Sequence, residues 1–418
     1  MKAALALCAM LFIPCGFAFA RQSPVAATPL ATLVKESEGR NAEVAAAKDT
    51  WKASTHVAKQ VSTPPDPQFT FQSLSVGNPE PTAGFGSSNF AYLGLGASQE
   101  LPYFGKLKLK GEVANREADT QKASAGVVRS SVAGQVKVLY LRLAYLQAKL
   151  EVLDRTDAVL QPLVKDALSR YSVGQGDQAG VIRAQMQRTR ILREKTAQQE
   201  QTGEAQADLK QLLHRAQDSP DIVPEELTAT PLKLSQGDLQ ALVRGENPTL
   251  RMDAAAVAHG DAQVKSARRE GKPDFNLGYM YQLTGSAYSD YYMLTVSMRL
   301  PRRGRVSGEI QEAAEQANHA RDELDSQTQQ TLADVQKQCV TVTSTQELLD
   351  EYRQGLIPQA EAVLRSEQAA YAANKGEFAP VLASLLDLLT LEDEYQQSLL
   401  EHETALARLE TLTGATLR

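Results

Sequence analysis

The chain has 418 residues and only three cysteines, Cys8, Cys15 and Cys339. The first two lie in an apolar leader, so the remainder cannot build a disulfide framework. Aromatic residues make up 6%, with a single Trp. Basic charge is not in excess: 44 Lys+Arg stand against 50 Asp+Glu, for a net charge of -6. That balance lacks the electrostatic footprint of a nucleic-acid binder. A mean hydropathy of -0.32 excludes a bundle of transmembrane helices. It does not exclude a β-barrel, whose strands are apolar on one side only. The five histidines, His56, His214, His259, His319 and His402, show no paired spacing. There is no P-loop, no Gly-x-Ser-x-Gly and no dinucleotide fingerprint. The expectation is a protein that is not an enzyme, holds no cofactor and ligates no metal of its own.

What the chain does have is an export leader and a helix-forming composition. Lys2 followed by apolar Ala3 to Phe19, and then Ala18-Phe19-Ala20, reads as a signal peptide over 1–20, with the mature chain starting at Arg21. Neither Cys8 nor Cys15 sits in a convincing lipoprotein cleavage box. Hydrophobic residues at 43% suffice for real cores, and abundant Ala, Gln, Leu and Glu point to long helices.

The sequence also repeats itself at about half its length. Asn41 and Asn247-Pro248 each head a helical stretch. Pro67-Gln68-Phe69-Thr70-Phe71 returns as Pro273-Asp274-Phe275-Asn276-Leu277, and Leu101-Pro102-Tyr103-Phe104-Gly105 as Leu300-Pro301-Arg302-Arg303-Gly304. Tyr171 to Asp177 returns as Tyr371 to Glu377, and Leu209 and Leu212 as Leu409 and Leu412. Residues 21–230 thus read as a first repeat, with a strand pair at about 68–101 and a helical hairpin at about 105–214. Residues 231–418 read as a second, with strands at about 274–300 and a hairpin at about 304–413.

The strand pairs alternate with period two. Phe275, Leu277, Tyr279, Tyr281 and Leu283 interleave with Asn276, Gly278, Met280 and Gln282, and Tyr292, Leu294, Val296, Met298 and Leu300 behave likewise. Runs of about ten residues suit a tilted transmembrane strand, although a soluble antiparallel sheet resting on helices gives the same pattern. Four strands cannot close a barrel, and lipid tolerates no open edge. A membrane reading therefore requires an oligomer that pools its strands. Apolar positions would then face lipid, and Gly, Ser, Asn and Gln the lumen. Met280 and Met293, on the lumen side, read as barrel-filling side chains before soft metal ligands. Lys106, Lys108 and Lys110, with Arg302, Arg303 and Arg305, read as a solvated basic rim or as contacts to lipid phosphate.

The helical stretches are too long for a compact domain. Gly105 to Tyr171 contains no proline but Pro162, and at ~1.5 Å per residue it spans roughly 100 Å. Val132, Val136, Leu139, Leu143, Leu146, Leu150 and Leu153 form a heptad seam. Leu332, Val335, Cys339, Val342 and Leu349 form another, with Cys339 as a small apolar packing residue. Each long helix turns at a Gly/Asn-containing tip, where a left-handed residue can end it.

An exported chain with two such repeats resembles the TolC-type outer-membrane factor family, that is, the outer membrane efflux proteins. The Gln99-Glu100-Leu101-Pro102-Tyr103-Phe104-Gly105-Lys106 stretch is similar to the branch associated with heavy-metal and cation efflux. The resemblance implies a mainly α fold with a transmembrane β part: a homotrimer whose twelve-strand β-barrel continues as an α-helical barrel. It implies residence in the outer membrane of a Gram-negative bacterium, with a long periplasmic portion. Its implied partners are a periplasmic adaptor, an inner-membrane transporter and outer-membrane lipid, with no nucleic acid. Its implied function is the exit duct of a tripartite efflux system, passing small solutes or metal ions and gated at the periplasmic tips. Type I protein secretion is the competing duct function, and a soluble periplasmic adaptor or structural coiled coil the competing class. By the same resemblance, the tip, gate and adaptor-docking residues are Tyr171, Gly174, Gly176, Asp177, Tyr371, Asn374, Gly376 and Glu377. The barrel-to-tunnel turns are Pro102, Gly105, Pro301 and Gly304. Where some relatives carry a carboxylate ring beyond the second tip, this chain has Pro380 and Ala383, with Asp387 a turn later.

Overall fold

The computed structural model describes residues 27–174, 178–285 and 287–417. The expected signal peptide with Cys8 and Cys15, and the tip residues Gly176 and Asp177, lie outside the described residues.

Each repeat opens with a kinked pair of helices. Helices α1 (Leu30–Arg40) and α2 (Ala42–Ser62) meet at Asn41; α5 (Gln236–Glu246) and α6 (Pro248–Glu270) meet at Asn247. The two asparagines do the same work. Asn41 Oδ1 accepts from the N–H groups of Glu43 and Val44, capping α2, while its Nδ2 donates to the Leu212 carbonyl at 3.0 Å. Asn247 Oδ1 accepts from Leu250 N–H, and its Nδ2 donates to the Leu412 carbonyl at 2.7 Å. A short amide at an N-cap satisfies helical donors that otherwise have no partner. Here it also ties each kink to the far end of its own hairpin.

Strands β1 (Gln68–Leu74), β2 (Tyr92–Leu101), β3 (Asp274–Leu283) and β4 (Tyr291–Arg299) form one antiparallel sheet in the order β1-β2-β3-β4. The repeats therefore join edge to edge through β2 and β3. Their register lines up apolar rows on one face: Phe71–Leu95–Tyr281–Tyr292, Phe69–Ala97–Tyr279–Leu294 and Leu101–Phe275–Met298. The opposite face carries Gln68–Ser98–Gly278–Thr295, Gln72–Gly94–Gln282–Tyr291 and Glu100–Asn276–Ser297. Helices leave the apolar face bare, with Phe69 82% and Leu294 68% exposed. A soluble sheet resting on helices would cover that face, so this alternative does not describe the chain.

From the sheet descend two hairpins. The first pairs α3 (Lys106–Ser172), which runs through Pro162 without a break, with α4 (Gln178–Leu212). The second is not the single long helix that the repeat predicts. Helix α7 (Arg303–Glu351) passes into a π-helical turn at Tyr352–Leu356, then α8 (Ile357–Ala372), before α9 (Phe378–Thr413) returns. Pro358 lies at the start of α8. Proline lacks an N–H and clashes with the carbonyl of the preceding turn, and the wider π turn accommodates both defects.

The heptad seams are buried where the hairpins coil. Val136, Leu143, Leu146 and Leu209 join Leu33, Leu213 and Ile222 in one core. Val335, Val342, Leu406 and Leu409 join Leu239 and Val243 in the matching core of the second repeat. A third core near the tips mixes the repeats: Leu153, Leu160, Ala184 and Ile191 with Leu364, Tyr371, Val381 and Leu385. Close helix approach is set by small residues. At Gly260 of α6, an added Cβ would lie 3.1 Å from Ala317 Cα of α7.

Candidate functional site

Three regions carry the candidate residues: the sheet, the neck below it, and the helical tips. In the sheet, β1 and β4 are exposed along their whole length and lack a strand partner on their outer sides among the described residues. Such edges present a row of free backbone N–H and C=O groups.

At the neck, Gly105 adopts φ 87°, a left-handed conformation that suits glycine, and so ends the turn after Pro102. Arg269 donates from Nε and Nη2 to the Phe104 carbonyl at 3.1 and 2.7 Å, and its guanidinium stands 5.2 Å from the Tyr103 ring centroid. The copy in the second repeat differs: Gly304, after Pro301, sits in the first turn of α7 with no positive φ. Lys106 departs from both readings of the basic rim. It is 2% exposed and bridges Asp274 at 2.9 Å and Glu270 at 3.2 Å. A buried ammonium without carboxylates would cost several kcal/mol, so the two acids at the α6–β3 junction make its burial tolerable. Lys110 shares Glu270 at 3.5 Å, and Arg305 pairs with Glu309.

At the tips, the structure places the residues of the two hairpins side by side. Gly174 (φ 77°) and Asn374 (φ 58°), at equivalent places in the repeats, are both left-handed. Gly376 is not, yet an added Cβ there would lie 3.1 Å from Ala370 Cβ. Tyr171 is exposed, whereas its copy Tyr371 is buried at 8%. Tyr371 stacks edge-on against Phe378 at 5.6 Å between ring centroids, and the Arg170 guanidinium lies 4.3 Å over its face. Arg170 also donates to the Tyr371 carbonyl at 3.2 Å and to Asn374 Oδ1, and pairs with Asp166 at 2.9 Å. Burial, reinforced by the Asp166 charge, pushes the Tyr371 hydroxyl pKa up. Glu377 precedes α9 without a side-chain cap. Pro380, Ala383 and Asp387 follow along α9, Asp387 being exposed. Arg170 and Phe378 are the residues that sequence reasoning missed. The only available signal was that Arg170 corresponds to Ala370 in the other repeat, which breaks the symmetry at the tip.

Above the tips, α3 is clamped to α9 by charge. Lys149 bridges Asp393 at 2.9 Å and Glu194 at 3.2 Å, and Arg155 bridges Glu392 at 3.2 Å. Burial alone would lower the Lys149 pKa; the bond to Asp393 overrides it and holds the ammonium charged. Cys339 is half-buried in its seam, and burial raises its thiol pKa. Among the described residues, no three His, Cys, Asp or Glu side chains converge as a metal site, and no helix is long and apolar enough to cross a membrane.

A bare apolar sheet face, free sheet edges and a pair of long hairpins define a membrane β-sheet with a helical extension, the architecture of an outer-membrane duct subunit. The chain matches the outer membrane efflux protein family over residues 33–214 and 239–415, and it belongs to that family. It is the outer-membrane exit duct of a tripartite efflux system. Its fold is that of the outer membrane protein VceC from Vibrio cholerae, at 18% identity and a TM-score of 0.76, over 93% of this chain and 97% of that one. The CmeC outer-membrane channel of Campylobacter jejuni superposes at 13% identity and TM-score 0.75, over 93% and 86% of the two chains. The open state of the MtrE channel of Neisseria gonorrhoeae does so at 16% and 0.75, over 93% and 89%. Among curated proteins, no sequence match is found.

Proposed function

We propose that three copies of this chain close a twelve-strand barrel in the outer membrane of a Gram-negative bacterium, and that the duct passes small solutes or metal ions passively. The observation that carries this reading is the sheet: four strands, apolar on one face, with β1 and β4 both open. Open edges are not viable in lipid. Pairing β1 of one copy with β4 of the next removes every edge without any further element. Energy is supplied from outside the chain, by an inner-membrane transporter reached through a periplasmic adaptor, and no chemical step is assigned to this chain. The tips act as the gate. Arg170, Tyr371 and Asn374 hold the two hairpins of one subunit together, and releasing them lets α8 and the tip half of α9 separate from α3.

The test is fractionation of the native membrane, with the outer-membrane fraction run unheated and after crosslinking. A species of roughly three times the mass of the mature subunit supports the pooled barrel. A soluble periplasmic monomer or dimer would overturn it.

A further inference from the structure

We infer that the outer side of the neck, where the sheet passes into the helices, is a binding surface for anionic phospholipid headgroups of the periplasmic leaflet, carried by Lys108, Arg268 and Arg303. The inference rests on the duct reading above, which turns the apolar face of the sheet towards lipid. That face sets the height of the membrane. Along β4 and the residue after it, it runs Tyr292, Leu294, Val296, Met298 and Leu300. At strand spacing this is about 27 Å of chain. Tilted as barrel strands are, it covers most of the roughly 25 Å apolar band of an outer-membrane barrel. The paired rows of this face carry no charged residue, and Leu300, 67% exposed, ends it on the helical side. The chain turns basic immediately below. Lys106, Lys108 and Lys110 open α3, Arg303 and Arg305 open α7, and neither helix has an acid in its first turn.

The neck sorts its charges by side. Lys106, Lys110, Arg302 and Arg305 line a cavity together with Asp66, Glu100, Glu270 and Asp274. The space beside it shares Asp66, Glu100 and Asp274 and follows Gln68, Ser98, Asn276 and Ser297 of the polar face. Both therefore belong to the lumen side. Each residue of a helix turns about 100° around the axis, so residues two apart point nearly opposite ways. Lys108 stands two residues from Lys106 and Lys110, Arg268 two from Glu270, and Arg303 two from Arg305. Each is turned away from the cavity. All three are exposed, and none has an ion-pair partner among the described residues. The nearest acid on the outer side of α3, Glu112, lies a turn further down and pairs with Lys265 at 3.8 Å. The lumen side thus balances its bases with acids, whereas the outer side carries unbalanced bases at the foot of the apolar band. Phosphodiester headgroups lie at that depth and supply the missing anions, as they do for basic clusters beside other membrane segments.

The experiment reconstitutes the purified full-length protein in phosphatidylcholine bilayers. Electron spin resonance then compares the association of spin-labelled phosphatidylglycerol with that of spin-labelled phosphatidylcholine. The parent should prefer phosphatidylglycerol about fivefold at low salt, the attraction that one base near an anionic surface supplies. The preference should vanish in 1 M salt, where the screening length falls to about 3 Å. The K108Q/R268Q/R303Q variant should lose it, and the lumen-side K110Q/R302Q/R305Q variant should keep it. A preference that survives K108Q/R268Q/R303Q, disappears in the lumen-side variant or ignores salt overturns the surface. So does a preference abolished by free glycerol phosphate at constant ionic strength, which would mark an isolated phosphate site. Each variant is first run unheated on a gel. Should the outer triple variant fail to assemble, the three single substitutions are read instead, each expected to lose part of the preference. A parent trimer with no preference refutes the surface alone, whereas absence of the trimer in the parent refutes the duct reading and the surface with it.

Discussion

Asn41 and Asn247 each use one amide for two purposes, capping a helix with the oxygen and tying down a distant carbonyl with the nitrogen. Both are buried, so replacement leaves backbone groups without partners. Asn41→Ala and Asn247→Ala are each expected to cost about 1–2 kcal/mol, read as a lowered melting temperature of the purified protein, and Asn→Asp should restore only the cap. Glu36 gives a pH prediction. Its bidentate bond with Arg215, at 2.9 and 2.6 Å, holds its pKa below the ordinary carboxylate value. Stability from this pair is therefore fully present above the unfolded pKa, about 4.3, and is lost as pH falls through the lower folded value. Melting temperatures measured from neutral to acidic pH should fall more steeply for the parent than for Glu36→Gln. Parallel curves would count against it.

Among the elements, the strands separate two environments that alternate along one chain. Leu294 and Thr295 are neighbours in sequence but face opposite sides of the sheet. Leu294→Arg places a charge towards lipid and should cost about 2–4 kcal/mol if it lies near the midplane. Thr295→Arg, towards water, should fold normally, and the heat-modifiable gel shift of the two variants separates these outcomes. The tips make a second case. Gly174→Val forces a β-branched residue into a left-handed conformation, at about 1–2 kcal/mol, and Gly376→Val drives its side chain into Ala370. Arg170→Ala removes the cation–π contact and the bonds to Tyr371 and Asn374, worth about 1 kcal/mol or more together. Under the gating reading, all three raise the conductance of single channels in planar bilayers. Conductance equal to that of the parent would remove the tips from the gate.

At the scale of the whole molecule, much of the architecture is legible in the sequence. The period-two strands, the heptad seam from Val132 to Leu153 and the left-handed Gly174 and Asn374 are local or periodic signals, and each appears where the pattern puts it. The π turn at Tyr352–Leu356 was not legible, because Pro162 and Pro358 look alike in sequence while only one interrupts its helix. Lys106 was misread because a lysine among lysines looks solvated, and Glu270 and Asp274, more than 160 residues away, are what bury it.

The elements and their faces follow from the order of residues along the chain, since helical and strand periodicities are properties of consecutive residues. How the repeats join is a matter of long-range packing in the folded chain. The fold pairs β2 with β3, leaves β1 and β4 open among the described residues, and sets Arg170 of the first hairpin on Tyr371 of the second. These pairings link residues from 174 (Leu101 and Phe275) to 201 (Arg170 and Tyr371) positions apart. Their strength depends on burial and on facing partners, and neither quantity is carried by any single stretch of chain.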